Sequence, residues 1–242
     1  MDKPALLVGL VLLGLASVAG AVECATTTHA NLRFTTCRVD ARSGSLGLYY
    51  RNPGGSSRIG SFDRLAQNVA REGKRLTFAM NAGMFHPDFE PVGLLVIDGR
   101  EIAPINRAPG TGNFFLQPNG VFLIDGDGPR VVATDEYRSL APTFATQSGP
   151  MLLHRGLIPD IPAFRSRSRH LRNGVCVPEG STVVFVISDD ETTFREFAEY
   201  FSSVLKCTEA LYLDGSISSL YAPRMQRADA RSEFGPMFGV AE

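Results

Sequence analysis

The chain has 242 residues, a formal net charge of −1 and charged side chains at 20% of its positions. That balance excludes an extended surface for nucleic acid or anionic lipid, which needs a clear excess of lysine and arginine; the only local basic density lies at 165–172. A hydrophobic share of 44% and four cysteines are enough for one large domain with a real core, held in part by disulfides.

Lys3 and the amino terminus precede an uncharged run over 5–21 that ends in Ala19-Gly20-Ala21, the small-x-small pattern of signal cleavage. Residues 1–21 are therefore expected to be an export signal and 22–242 the folded domain. Gly9, Gly14 and Gly20 weaken the run as a spanning helix, and Glu23 rather than a basic cluster follows, which argues against a retained anchor. No second apolar segment approaches membrane length, so the expectation is an exported protein, periplasmic or secreted, with no membrane contact after signal removal. In such a chain Cys24, Cys37, Cys176 and Cys207 read as disulfides, because no C-x-x-C pair or nearby histidine gives metal-ligand spacing. Three pairings are possible, and Cys24 with Cys37 is the first choice. The sequence calls for no metal and no other cofactor.

Strands over 34–38 and 46–50, joined by a polar stretch and followed by Asn52-Pro53-Gly54-Gly55, predict a hairpin. Ser61 is placed to cap a helix running to Arg71, with Phe62, Leu65, Ala66 and Val69 on one face. Strands follow over 76–80, 93–97, 113–116, 121–124, 130–133, 150–153 and 183–187, with hairpin turns at Asp98-Gly99 and at 125–128. A second amphipathic helix over 192–205 presents Phe194, Phe197, Ala198, Phe201, Val204 and Leu205, and Asp189, Asp190 and Glu191 put negative charge at its start. With a last strand over 211–213, the 183–187 strand and this helix make a β-α-β unit whose strands are expected to be parallel. The fold class is α+β: a single domain on a mixed, largely antiparallel twisted sheet with few helices and that one late β-α-β unit.

Chemistry concentrates after the last strand. Asp214 stands at its end, Gly215 permits a sharp turn, and Ser216, Ser218 and Ser219 add hydroxyls beside exposed N–H groups, an arrangement that suits an anion. The plain alternative is an ordinary Asp-Gly turn. Further polar clusters sit at other strand ends: Met80-Asn81-Ala82-Gly83-Met84-Phe85 followed by His86, Gly112-Asn113-Phe114-Phe115 with Pro118-Asn119-Gly120, Thr146-Gln147-Ser148-Gly149, and Arg172-Asn173-Gly174. Taken singly each has a bland explanation. Asn-Gly is a common turn, His86 beside Pro87 is a loop residue, and Arg172 is a solvated cation in a charge run.

Together, in this order and at roughly these separations over 33–222, these stretches resemble the exported bacterial branch of the phosphodiester glycosidase family. That family includes the enzyme that removes a capping N-acetylglucosamine from phosphorylated mannose. The chain departs from the family's Asp-Gly-Gly-Gly-Ser-Ser turn, because Asp214-Gly215 is followed here by Ser216, Ile217, Ser218 and Ser219, which leaves less room for backbone to approach a ligand. The resemblance implies a hydrolase that cuts the glycosidic C–O bond of a sugar-1-phosphodiester in envelope or extracellular glycan metabolism, acting on a sugar-phosphate or glycan. Asp214 is then the candidate base or oxocarbenium stabiliser, Arg172 the phosphate ligand and His86 the second titrating group. Asn81, Gly83, Asn119, Gln147, Ser148, Asn173, Gly215, Ser216, Ser218 and Ser219 are the candidates to touch the substrate or hold the loops around it. Phosphate is a good leaving group and asks little of a general acid. Asp88, Glu90, Asp189, Asp190 and Glu191 are all eligible as a second carboxylate, and no spacing supports a calcium site between one of them and Asp214. An exported carbohydrate-binding module, or a phosphoesterase cutting P–O, is the alternative on the same residues.

Overall fold

The computed structural model describes residues 21–55, 57–138, 141–229 and 233–242, with the Ser216 side chain outside that description. The expected export signal falls, but for Ala21, outside the described residues. Among those residues no helix is long and apolar enough to cross a membrane.

In chain order the elements are β1 (Val22–His29), β2 (Leu32–Asp40), β3 (Leu46–Tyr49), α1 (Phe62–Arg71), β4 (Leu76–Asn81), β5 (Leu95–Ile97), β6 (Arg100–Ala103), β7 (Gly120–Asp125), β8 (Gly128–Ala133), β9 (Phe144–Ser148), β10 (Met151–Leu153), α2 (Pro162–Arg165), β11 (Asn173–Cys176), β12 (Thr182–Ser188), α3 (Phe194–Ser203), β13 (Ala210–Tyr212), β14 (Leu220–Ala222), β15 (Arg227–Ala228) and β16 (Met237–Ala241). They form three sheets, ordered β1-β2-β12-β11-β13-β10, β15-β14-β4-β16-β3 and β6-β5-β9-β7-β8. The fold is α+β, as the sequence predicts.

The pleat explains the layering. In β12 Val183, Phe185 and Ile187 join a central core with Phe78 and Met80 of β4, Phe122 of β7 and Phe238 of β16. Val184 and Val186 point the other way, onto Phe197, Ala198 and Phe201 of α3. On the far side Phe62, Leu65 and Val69 of α1 cover Ala79 and Met237. Two sheets thus face each other across the main core with a helix on each outer face, and the third sheet adds Leu95, Phe122 and Val131 to the same core. Ser61 accepts from the Arg64 N–H at the start of α1, and Thr193 with Glu196 makes a capping box at the start of α3.

Three local expectations are corrected. The 34–38 and 46–50 strands are not a hairpin, because β2 pairs with β1 and β12 while β3 pairs with β16. The short helical turn at Ala41–Ser43 and the left-handed Gly44 carry the chain from one sheet to the facing one, so Val39 and Leu46 meet across the core rather than along a ladder. Residues Asn113–Phe115 form a single 3-10 turn instead of a strand. Lastly, β12 and β13 do run the same way, but β11 lies between them, antiparallel to both, so the β-α-β unit is split and no parallel ladder forms. Both hairpins through Asp98-Gly99 and 125–128 are present.

Cys24 is bonded to Cys37 across β1 and β2, and Cys176 of β11 to Cys207 just before β13. The first bond is the expected one.

Candidate functional site

The site forms where the chain changes sheets. Leu211 and Leu213 point into the central core, and the chain then leaves β13 in the six-stranded sheet and re-enters at Leu220 of β14 in the facing five-stranded sheet. The crossover between them holds Asp214, Gly215, Ser218 and Ser219, and one asparagine from each sheet pins it. Asn81, at the end of β4, donates from Nδ2 to the Asp214 carbonyl at 2.7 Å and accepts at Oδ1 from the Ser219 N–H at 3.0 Å. Asn173, at the start of β11, accepts at Oδ1 from the Ser218 hydroxyl at 3.1 Å and donates from Nδ2 to the Asn81 carbonyl and Oδ1, both at 3.1 Å. Both asparagines are buried, so each bond that failed would leave a desolvated polar group costing about 1–3 kcal/mol. The Asp214 N–H donates to the Ala82 carbonyl and the Leu213 N–H to the Asn173 carbonyl. The backbone carrying Asp214 is therefore fixed from both sheets, and the residue itself is half-buried.

Arg172 precedes β11 and is 2% exposed, so it is not the solvated cation its sequence context allows. Its backbone exchanges bonds with Ser188, and its guanidinium donates through Nε to the Thr192 carbonyl at 2.9 Å, through Nη1 to the Tyr212 hydroxyl at 3.3 Å and through Nη2 to the Ser168 carbonyl at 3.3 Å. The planar group lies 3.7 Å over the Phe194 ring. Burial lowers its pKa, opposed by Tyr212, and an arginine remains a cation. Among the described residues it makes no ion pair. Three of its five N–H groups are spent on neutral oxygens.

A cavity of about 270 Å³ opens beside it, lined by Arg172, Tyr212, Phe194, Gly215, His170 and Ser168 among others. Tyr212 was not a candidate from sequence, where it reads as one more apolar strand residue. Its neighbours Leu211 and Leu213 face the core, so the strand period turns Tyr212 to the opposite face, toward Phe194 and Arg172. Its pKa is pushed up to about 12, chiefly by burial, against the pull of Arg172 and with the Asp214 charge adding to the rise. Gly215 has to be glycine here, because a Cβ on it would overlap the Tyr212 hydroxyl.

The remaining candidates lie around this centre in different ways. Gln147 is buried and fully bonded: Oε1 accepts from the Leu94 and Asn106 N–H groups, and Nε2 donates to the Asn106 carbonyl and Thr134 Oγ1. It staples together the two ends of the β5–β6 hairpin, at Leu94 and Asn106. A Cβ on Gly83 would meet Thr146 Oγ1 and come within 2.5 Å of the Gln147 carbonyl, so Gly83 lets the chain after Asn81 lie against β9. Asn119 holds the turn that carries Asn113, a cavity-lining residue, by donating to the Phe114 carbonyl at 2.8 Å. Its Oδ1, and the Oγ of Ser148, are buried with no hydrogen-bond partner among the described residues. The hydroxyl expected from Ser216 lies outside the described residues. His86 is exposed on a turn closed by its N–H bond to the Glu90 carbonyl, and no described hydrogen bond ties it to the Asp214 crossover. Of the acids considered as a second carboxylate, Glu90 pairs with Arg51, Asp189 with Arg227 and Asp190 with Arg33, while Asp88 caps its own turn and Glu191 is exposed.

The site thus combines a crossover fixed from both sheets, which carries Asp214, with a cavity lined by Gly215 and by a buried guanidinium that makes no ion pair among the described residues. The family model for phosphodiester glycosidases matches residues 74–237, and the chain belongs to that family. It is 34% identical over 213 residues to the uncharacterized protein YigE of Escherichia coli strain K12, across 88% of this chain and 82% of that one. In fold it is similar to the catalytic domain of the zebrafish N-acetylglucosamine-1-phosphodiester α-N-acetylglucosaminidase, auto-inhibited by its pro-peptide, with a TM-score of 0.66 at 13% identity over 93% of this chain and 85% of that one. A putative exported protein of Burkholderia pseudomallei K96243 has the same fold at a TM-score of 0.55 and 13% identity, over 86% and 74% of the two chains.

Proposed function

We propose that this protein hydrolyses a sugar-1-phosphodiester at the bond between the sugar C1 and the bridging oxygen, in an oxidising compartment outside the cytoplasm. The observation that carries the reading is Arg172, a buried cation with no carboxylate partner among the described residues, which lines a cavity together with Gly215, the residue after Asp214. An uncompensated buried charge is costly, and a phosphate in the cavity would supply its counter-ion in bidentate geometry. Asp214 then either directs a water onto C1 or stabilises positive charge as the C1–O bond breaks. The leaving phosphate monoester needs no proton to depart, which fits a chain in which Glu90, Asp189 and Asp190 are engaged in ion pairs. Two disulfides support export, since such bonds persist in oxidising surroundings.

The test is hydrolysis of a uridine-diphosphate sugar in heavy-oxygen water. Label in the released sugar is the expected result. Label in the phosphate would make this a phosphoesterase, and a panel of sugar-1-phosphodiesters that bind but are not cut would make it a binding module.

A further inference from the structure

The cavity holds one cation and a second polar group that the proposed reaction has not used. The Tyr212 hydroxyl lines it, and the bond from Arg172 Nη1 uses that oxygen as an acceptor. The same oxygen is pressed by the Gly215 backbone on one side. Arg172 Nη1 occupies one side of that oxygen and Gly215 closes another, and among the described residues no acceptor is paired with the phenolic proton. Tyr212 is 2% exposed and its ring is locked edge-on against Phe194, 4.7 Å between centroids, so the donor is held in place before any ligand arrives.

We propose that the Tyr212 hydroxyl donates a hydrogen bond to a phosphate oxygen held by Arg172, and that this pairing of one cation with one neutral donor selects a singly charged phosphodiester over a doubly charged phosphate monoester. The inference rests on the proposed function for the identity of the anion. The charge count supplies the selectivity. A phosphodiester brings one negative charge, which Arg172 matches, and Tyr212 satisfies a second oxygen without adding charge. A monoester brings nearly two, and the second is left without a cation while Asp214, next to the cavity-lining Gly215, adds a like charge on that side. Substrate is thereby favoured over the phosphate product that hydrolysis releases. Burial pushes the Tyr212 pKa up to about 12, so at the pH of the test below Tyr212 is a donor.

Calorimetry at pH 8 with glucose 1-(methyl phosphate) and glucose 1-phosphate as probes decides the matter. The wild type is expected to bind the diester more tightly, and Tyr212→Phe, which keeps the ring and removes the proton, is expected to weaken diester binding roughly 10-fold or more, the usual effect of a hydrogen bond to a charged group. Unfolding of the variant is followed in parallel, because a merely structural role would lower stability without changing the preference between probes. A folded Tyr212→Phe protein with unaltered diester affinity, or a wild type that prefers the monoester, overturns the proposal. If the variant does not fold, the tyrosine absorbance of the wild type gives the answer: a red shift on adding the diester supports the bond, and its absence refutes it. Hydrolysis is scored separately. Wild type that binds the diester through Tyr212 without cutting it sinks the proposed reaction alone, cutting with no Tyr212 effect sinks the clamp alone, and binding of neither probe sinks both.

Discussion

Asn81 holds both ends of the Asp214–Ser219 crossover with one amide, through the Asp214 carbonyl and the Ser219 N–H. This makes a sharp separation of roles at the scale of single residues. Asp214→Asn removes charge and keeps the size and every backbone bond, so it is expected to leave stability within about 1 kcal/mol while cutting kcat by about 100-fold or more, the typical loss for one preorganised electrostatic group. Asn81→Asp makes the complementary change. It keeps an acceptor for Ser219 and loses the donor to the Asp214 carbonyl, so unfolding in urea should show a loss of about 1–3 kcal/mol together with the loss of activity. Equal stability of Asn81→Asp and wild type would show that the crossover does not depend on that amide.

At the scale of elements, the β5–β6 hairpin is held by side-chain bonds at its ends as well as by its ladder to β9. Gln147 makes four hydrogen bonds, three to Leu94 and Asn106 at the ends of the β5–β6 hairpin and one to Thr134, all through one buried amide. Gln147→Leu preserves bulk and strands those partners, with an expected cost of about 3 kcal/mol or more and faster hydrogen exchange at the Leu94 and Asn106 amides. Exchange unchanged at those two positions would assign the hairpin's order to something else. The helices, by contrast, are set by their caps and apolar faces, which is why α1 begins after Ser61 and ends at Arg71 as its sequence predicts.

For the whole molecule the two disulfides differ in what they constrain. Cys24 and Cys37 close a short loop within the β1–β2 pair, whereas Cys176 and Cys207, 31 residues apart, tie β11 to the end of the α3 crossover and to the sheet that carries Arg172 and Asn173. Loop-closure entropy gives about 3 kcal/mol for the first and nearly 4 for the second. Replacing Cys176 and Cys207 by alanine should therefore lower stability more than replacing Cys24 and Cys37, and should also depress activity through β11. Thermal unfolding of the two double variants tests the order, and the reverse order would show that the β11 side is held by packing alone.

Local rules were legible in the sequence: the Ser61 cap, the apolar faces of both long helices, the two tight hairpins, most of the apolar strands and the first disulfide follow from side-chain type and spacing over a few residues, whereas the Thr193–Glu196 capping box lay unread inside the expected 192–205 helix. The polar strand ends at Asn81, Asn173 and Asp214 were legible as a series, though each taken singly reads as a common turn, and the structure joins them at one crossover. What the sequence could not settle was which strand lies beside which. The alternation in 34–38 and 46–50 is the same whether the strands share a ladder or face each other across a core, and only the packing of Val39 and Leu46 against the same core chose the second. In the same way, Tyr212 and Arg172 lie 40 positions apart and become a pair only because β11 inserts between β12 and β13. Spacing along the chain carries the period of a strand; burial of Arg172 over Phe194, and with it the charge that asks for an anion, exists only once the sheets have closed.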